Sequence, residues 1–254
     1  MRVALASIAL AGSAAGCAAG PPWWRPSVGT SWQIQLTGPV DLDVDATVVD
    51  LDLFDTSART VDRLHDRGRH VICYFTVGSK ESYRRDTDAL PDAVTGKGVD
   101  GWPQERWLDI RRIDALAPVL RARFDLCAAK HFDGVDGDWM DNQTQDTGFP
   151  ITASDQLAFN RWLIDQGHRR GLAVGVKNDL SQAPTLASEA DFEIDEQCAE
   201  FHECDTLLPW IRADKPVLHI EYNLPAAAFC ASTTRLGFSS LRKHVRLDAW
   251  RRPC

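Results

Sequence analysis

The chain has 254 residues and a formal net charge of −8, from 28 lysines and arginines against 36 aspartates and glutamates. Its composition, 44% hydrophobic and 25% charged, excludes collagen-like, disordered and coiled-coil chains. Nucleic acid is not expected as a partner, because phosphate contacts require a stripe of clustered lysines and arginines. The length is close to that of a (β/α)8 barrel.

The first 22 residues have the features of an export signal. Arg2 precedes an apolar run of small residues, Val3 to Ala15, that is too short to span a bilayer. We therefore predict a signal peptide over residues 1–22 and a location outside the cell or in its envelope. The stretch from Ala14 to Cys17 also resembles a bacterial lipoprotein cleavage site, so simple cleavage and a lipid anchor at Cys17 are both open. Such an anchor would be the only membrane contact.

Six cysteines remain after Cys17, and an even number in an exported protein predicts disulfides. Their spacing allows Cys198 to close a short loop with Cys204, and Cys230 to tie down the C-terminal Cys254. Cys73 lies in an apolar run, where a buried free thiol is the alternative. The spacing of cysteines and histidines fits no zinc motif, and we expect neither a metal nor a cofactor.

Residues 23–254 alternate between β-rich runs and helical stretches. Strands are predicted at Ser31–Leu36, Ala46–Phe54, His70–Val77, His131–Trp139, Ala173–Asn178, Phe192–Gln197, Pro216–Tyr222 and Phe238–Arg242. Helices are predicted at Ala58–Arg67, Ile113–Lys130, Ala153–Arg170 and Glu200–Arg212. Apolar strands alternating with helices indicate an α/β fold with a parallel sheet.

We predict a monomer with a single domain, a (β/α)8 TIM-type barrel, over residues 23–254. The length and the lack of a GxGxxG motif after the first strand disfavour the alternative, an open doubly wound sheet. The active site of such a barrel lies where its strands end. Polar side chains collect at those ends, at Asp52, Tyr74, Asp136, Asp138, Asp141, Lys177, Asn178, Glu196, Gln197, Glu221 and Tyr222.

Carboxylates at four strand ends are not explained by helix capping, although capping alone would explain Asp141. Two carboxyl groups facing across a cleft are the minimum equipment for glycosidic bond cleavage. Lys177 fits either a substrate oxygen or an ion pair with the acidic side chains. Trp102, Trp107 and Trp139 are predicted near the cleft, where indole faces would stack on sugar rings. No GxSxG motif or calcium-loop spacing favours another chemistry.

A series of motifs from Trp24 to Asn223 resembles glycoside hydrolase family 114. The motifs are Trp32–Leu36, Val49–Asp55, Val71–Ser79, Glu105–Ile110, Phe132–Asp138, Val176–Asn178, Glu196–Cys198 and Glu221–Tyr222. The resemblance implies a (β/α)8-type barrel with endo-α-1,4-polygalactosaminidase activity, and Asp138 and Glu196 as the catalytic pair. The family usually has Asn where this chain has Trp139 and commonly Pro where it has Gly137, differences that bear on substrate preference.

The resemblance implies a cationic amino-sugar polysaccharide as the partner, which an acidic cleft would attract. We expect Glu196 to donate the proton and Asp138 to act as its partner, with the reverse assignment also open. The predicted substrate-binding residues are Asp52, Tyr74, Asp136, Trp139, Asp141, Lys177, Asn178, Gln197, Glu221 and Tyr222. Two alternatives remain: a barrel that binds polysaccharide without cleaving it, and a glycosidase for a different polymer.

Overall fold

The computed structural model describes residues 23–254, so the predicted signal peptide and the proposed lipid attachment at Cys17 lie outside the described residues. The strands are β1 (Trp32–Gln35), β2 (Val48–Asp52), β3 (His70–Thr76), β4 (Ser79–Glu81), β5 (Thr95–Val99), β6 (Trp102–Leu108), β7 (Gly134–Asp138), β8 (Ala173–Lys177), β9 (Phe192–Glu196), β10 (Val217–Glu221), β11 (Ser239–Arg242) and β12 (Arg252–Pro253). The helices are α1 (Ala58–His65), α2 (Ile113–Ala129), α3 (Ala153–His168), α4 (Ala183–Leu186), α5 (Leu208–Arg212) and α6 (Ala226–Arg235).

Eight parallel strands form one sheet in the order β1-β2-β3-β7-β8-β9-β10-β11, and β12 adds to β11 in the antiparallel direction. Side chains connect the first and last parallel strands. The Trp32 indole donates to the Ser239 carbonyl oxygen at 2.8 Å, and Lys243 Nζ donates to Gln33 Oε1 at 2.8 Å. The eight predicted strands and the (β/α)8 fold are confirmed, and all eight parallel strands end at one face of the sheet.

Buried apolar residues explain why these runs become central strands. All residues of β2, β8 and β10 are buried, as expected for parallel strands covered on both faces. On the outer face, Phe124 of α2 meets Phe75 of β3 edge to face, with ring centroids 5.3 Å apart. Helix α3 begins at a capping box in which Thr152 and Asp155 exchange hydrogen bonds.

Three disulfides link the six cysteines of the described chain. The predicted pairs Cys198–Cys204 and Cys230–Cys254 are both present. The alternative of a free thiol at Cys73 is wrong, because Cys73 of β3 bonds to Cys127 of α2. This third bridge fastens a helix of the outer layer to the barrel wall.

The largest departure from the sequence prediction lies between β3 and α2. Here β4, β6 and β5 form a separate antiparallel sheet that the sequence did not indicate. The predicted helix Glu200–Arg212 is also mostly wrong, since regular α-helix covers only α5. The Cys198–Cys204 bridge and Pro209 restrict the backbone before it. Within residues 23–254, no helix is both long and apolar enough to cross a membrane.

The first described residues bind to the pole of the barrel where the strands begin. Trp23 stacks on His168 with ring centroids 3.9 Å apart, and its Nε1 donates to Asp191 Oδ1 at 3.0 Å. Trp24 stacks on His70, the first residue of β3, at 4.5 Å. The N-terminal segment is therefore attached opposite the strand ends.

Candidate active site

Three adjacent strands end in charged residues that meet at one point. Asp138 ends β7, Lys177 ends β8 and Glu196 ends β9. Lys177 Nζ lies 3.2 Å from Asp138 Oδ1 and 3.4 Å from Glu196 Oε1. The lysine side chain is 3% exposed, whereas those of Asp138 and Glu196 are 15% and 22% exposed. The two carboxylates thus face each other across a buried ammonium group and still reach solvent.

The shared lysine limits the distance between the two carboxylates. Both contacts end on Lys177 Nζ, so the oxygens Asp138 Oδ1 and Glu196 Oε1 are at most about 6.6 Å apart. Inverting glycosidases typically have their two carboxyl groups about 6.5–9.5 Å apart, so this limit lies close to the lower end of that range. Retaining enzymes have a separation of about 5–5.5 Å. The limit thus includes the shorter separation that direct attack by one carboxylate requires.

Each carboxylate also receives a hydrogen bond from a tyrosine. The Tyr74 hydroxyl donates to Asp138 Oδ2 at 2.7 Å, and the Tyr222 hydroxyl donates to Glu196 Oε1 at 2.5 Å. Burial and nearby carboxylates raise the pKa of both tyrosines, so both remain donors at neutral pH. Burial alone would lower the pKa of Lys177, but the charges of Asp138 and Glu196 outweigh it and raise this pKa well above its ordinary value.

The backbone turns sharply directly after each of these three residues. Trp139, Asn178 and Gln197 adopt left-handed conformations with φ of 62°, 58° and 73°. This region is uncommon for residues other than glycine and is concentrated at functional sites. The Glu196 N–H donates to Asn178 Oδ1 at 2.9 Å, so the Asn178 side chain helps to fix the end of β9.

Trp139 connects this group to the small antiparallel sheet. Its Nε1 donates to Glu105 Oε2 at 3.1 Å, and Ser79 Oγ donates to the same oxygen at 2.7 Å. Trp107 is buried behind Trp139, with ring centroids 4.7 Å apart in an edge-on arrangement. Trp102 lies farther along β6 and is 49% exposed. Of the three tryptophans predicted near the cleft, Trp139 is the one beside Asp138.

Several other predicted binding residues have their carboxylates engaged by the protein. Asp52 forms a bidentate ion pair with Arg84. Asp141 accepts hydrogen bonds from Thr144 Oγ1 at 2.9 Å and Gln145 Nε2 at 2.8 Å. These contacts hold loops in place and leave Asp52 and Asp141 less free to bind a sugar than the sequence alone implied.

Two further acidic residues lie inside the barrel wall rather than in the opening. Glu221 is fully buried, and its Oε1 lies 3.0 Å from His219 Nε2 and 2.9 Å from the donating Ala199 N–H. Asp136 is 1% exposed, and burial raises its pKa and that of the neighbouring Asp50. Both side chains are therefore enclosed by the protein beneath the surface of the opening.

Gln197 lies at the edge of the opening, where its Nε2 donates to Glu200 Oε2 at 2.7 Å. The structure therefore brings six predicted residues together around Asp138 and Glu196 or immediately beside them. They are Tyr74, Trp139, Lys177, Asn178, Gln197 and Tyr222.

Comparison with known families identifies the chain. The sequence profile of Glycoside-hydrolase family GH114 matches residues 13–254. The chain belongs to glycoside hydrolase family 114. No curated protein sequence matches it.

Two solved structures resemble this family 114 chain. Ega3 from Aspergillus fumigatus, solved in complex with galactosamine, is 35% identical with a TM-score of 0.87, over 91% of this chain and 97% of Ega3. The glycoside hydrolase domain of PelA from Pseudomonas aeruginosa is 15% identical with a TM-score of 0.70, over 87% of this chain and 97% of that domain. The likeness to PelA concerns the fold alone.

The family 114 site includes one residue that the sequence prediction left out. Glu105 was noticed only as part of a family motif, yet it contacts Trp139 and Ser79 next to Asp138. The structure shows why it belongs there, because Glu105 and Trp107 are buried on one face of β6 while Gln104 and Arg106 are exposed. This two-residue alternation places a carboxylate on an inward face.

Proposed function

We propose that this family 114 glycoside hydrolase cleaves internal bonds of an α-1,4-linked galactosamine-containing polysaccharide, with Asp138 and Glu196 as the catalytic pair. The observation that carries the proposal is the pair itself, two solvent-reaching carboxylates on either side of Lys177. The galactosamine bound in the structure of Ega3, at 35% identity, supports an amino-sugar substrate. The net charge of −8 adds attraction for a polymer with free amines.

The contacts support a division of labour within the pair. Asp138 is held by Lys177 Nζ at 3.2 Å and by the Tyr74 hydroxyl at 2.7 Å, and we assign this fixed carboxylate as the nucleophile. Glu196 is more open to a leaving group and would protonate the glycosidic oxygen as Asp138 attacks the anomeric carbon. The carboxylate of Glu196 would then take a proton from water, which hydrolyses the glycosyl-enzyme ester and releases Asp138. The net result is retention of the anomeric configuration.

Three disulfides support the proposal that the enzyme works outside the cytoplasm, because such bonds persist in oxidising compartments. Export would follow from the signal peptide at residues 1–22, with a lipid anchor at Cys17 as the alternative outcome of processing.

The decisive experiment measures reducing-end release from partially deacetylated α-1,4-galactosamine polymer. We expect Glu196→Gln to lower kcat by about 10²–10⁴-fold, the usual contribution of general acid–base catalysis. Asp138→Asn removes the proposed nucleophile and should lower kcat at least as much. Asp125→Asn, an acid-to-amide change on the outside of α2, is the matched control and should retain wild-type activity. Proton NMR of the first product should show the α anomer.

Each of the other outcomes has a clear meaning. Equal activity in the wild type and both site variants would remove Asp138 and Glu196 from the mechanism. Binding of the polymer by the wild type without release would favour a non-catalytic polysaccharide-binding barrel. Release from a different polymer alone, in a panel of polysaccharides, would reassign the substrate.

A further inference from the structure

A groove with a volume of about 350 Å³ runs along the small antiparallel sheet. It is lined by Tyr83, Trp102, Pro103, Gln104 and Glu105. Tyr83 is 57% exposed and Trp102 is 49% exposed, although both carry large apolar rings. Exposed aromatic surface in a concave position is typical of a binding site, and flat ring faces suit the apolar faces of sugars.

Glu105 links the lining of the groove to the candidate active site. Glu105 Oε2 accepts hydrogen bonds from Trp139 Nε1 at 3.1 Å and from Ser79 Oγ at 2.7 Å. Trp139 directly follows Asp138, so Glu105 of the groove contacts the residue next to one member of the proposed pair. A polymer with one bond held between Asp138 and Glu196 can therefore continue into this groove.

One oxygen of the Glu105 carboxylate is available to a ligand in the groove. The residue is only 8% exposed. Within residues 23–254, its Oε1 has no hydrogen-bond partner and no lysine or arginine forms an ion pair with the carboxylate. Burial raises the pKa of Glu105, and the charge of Asp138 adds to this effect. Oε1 is not enclosed by the protein but reaches solvent, so a cationic ligand in the groove can contact it.

We propose that the groove binds the galactosaminyl residues adjoining the cleaved bond, and that Glu105 Oε1 accepts a hydrogen bond from the 2-ammonium group of one of them. The inference rests on the proposed function and adds a specificity-determining residue to it. N-acetylation removes the positive charge and the ammonium donors, so Glu105 selects free amino sugars over acetylated ones. Trp102 and Tyr83 supply ring faces on which the next sugars stack.

The test compares two α-1,4-linked hexasaccharides, one of galactosamine and one of N-acetylgalactosamine. We expect Glu105→Gln to lower kcat/KM for the free-amine substrate by about 10- to 100-fold, the range for a hydrogen bond to a charged group. The loss should appear mainly in KM, and kcat/KM for the acetylated substrate should be unchanged. Asp88→Asn, an exposed acid-to-amide change in the same segment between β3 and α2, is the control. It should leave the preference between the two substrates unchanged.

Two results would overturn the role of Glu105. One is an unchanged preference between the two substrates. The other is an equal loss of kcat on both, which would show that Glu105 serves only to position Trp139.

The aromatic wall of the groove needs a separate variant. Trp102→Ala should raise KM progressively as the galactosamine oligosaccharide lengthens, with little effect on the shortest substrate that is cleaved. A KM effect that does not depend on length would exclude Trp102 from the proposed polymer path.

Binding measurements separate this inference from the proposed function. Calorimetry of the galactosamine hexasaccharide with Glu196→Gln, and with the same variant also carrying Glu105→Gln, reports amine recognition without turnover. A loss of affinity on removing the Glu105 charge supports the inference even if the wild type cleaves neither substrate, a result that would refute the proposed function. Equal affinities in an enzyme that does cleave the polymer would refute the inference alone.

Discussion

Replacing Lys177 with methionine is the sharpest test of how this site controls charge. Methionine keeps most of the length of the side chain and removes the ammonium group that lies 3.2 Å from Asp138 and 3.4 Å from Glu196. Because Lys177 has a raised pKa, it remains charged throughout the pH range in which a glycosidase is assayed. The wild-type pH profile therefore reports the carboxylates and not the titration of Lys177.

The size of the effect follows from the contact distances. Two unit charges about 4 Å apart interact by about 4 kcal/mol at an effective dielectric constant of about 20. Since the two carboxylates are 15% and 22% exposed, solvent screening reduces this to about 2 kcal/mol, or roughly 1–2 pH units at 1.36 kcal/mol per unit. Loss of a positive charge makes protonation of the pair easier, so the whole profile should move to higher pH.

The assay is the pH dependence of kcat/KM for Lys177→Met on the galactosamine hexasaccharide, with melting temperature recorded at each pH. Lys97→Met, which removes an exposed lysine paired with Asp146, is the control and should leave the profile unchanged. A folded Lys177→Met enzyme with its optimum at the wild-type pH would refute the view that this lysine sets the charge of the pair.

Two further predictions concern stability. Removing the Cys73–Cys127 bridge, which spans 54 residues, should lower the free energy of unfolding by about 4 kcal/mol. Removing the six-residue Cys198–Cys204 bridge should lower it by about 2 kcal/mol. Urea titrations of the two double-serine variants measure these losses, and equal losses would contradict the argument from loop length. Burial raises the pKa of Asp179 to about 6, so the fold holds this proton more tightly than the unfolded chain does and loses stability as pH rises from about 4 to 6. The melting temperature of Asp179→Asn relative to wild type should therefore rise over that interval and then level off, and a constant difference would show that Asp179 does not titrate there.

The barrel was predictable because its strands are buried on both faces. Runs such as Val48–Asp52 and Val217–Glu221 are apolar along most of their length, and each is followed by a helix or turn signal. The small sheet was not predictable, because Thr95–Val99 contains two glycines and has little buried surface. Its strands are held by contacts with loops that sequence periodicity does not reveal.

The candidate site was predictable as a set of strand ends but not as a set of contacts. Asp138, Lys177 and Glu196 follow from their positions at the ends of three neighbouring strands. Asp52 pairs with Arg84, which lies 32 positions along the chain in the segment between β3 and α2. The contact between Glu105 and Trp139 likewise joins residues 34 positions apart. Such pairings are set by tertiary packing, which one sequence does not show.

Trp23 stacks on His168 and Trp24 stacks on His70, so the start of the described chain is fixed to one pole of the barrel. This attachment would set the orientation of an enzyme that is anchored through its N-terminal segment. Trp23 lies at one pole of the barrel, and Asp138 and Glu196 open at the other. Five residues separate Cys17 from Trp23, a tether of at most about 20 Å. An enzyme anchored through Cys17 would thus stand on the membrane with its cleft pointing outward, where it could cut strands of a surrounding matrix and not those lying against the lipid.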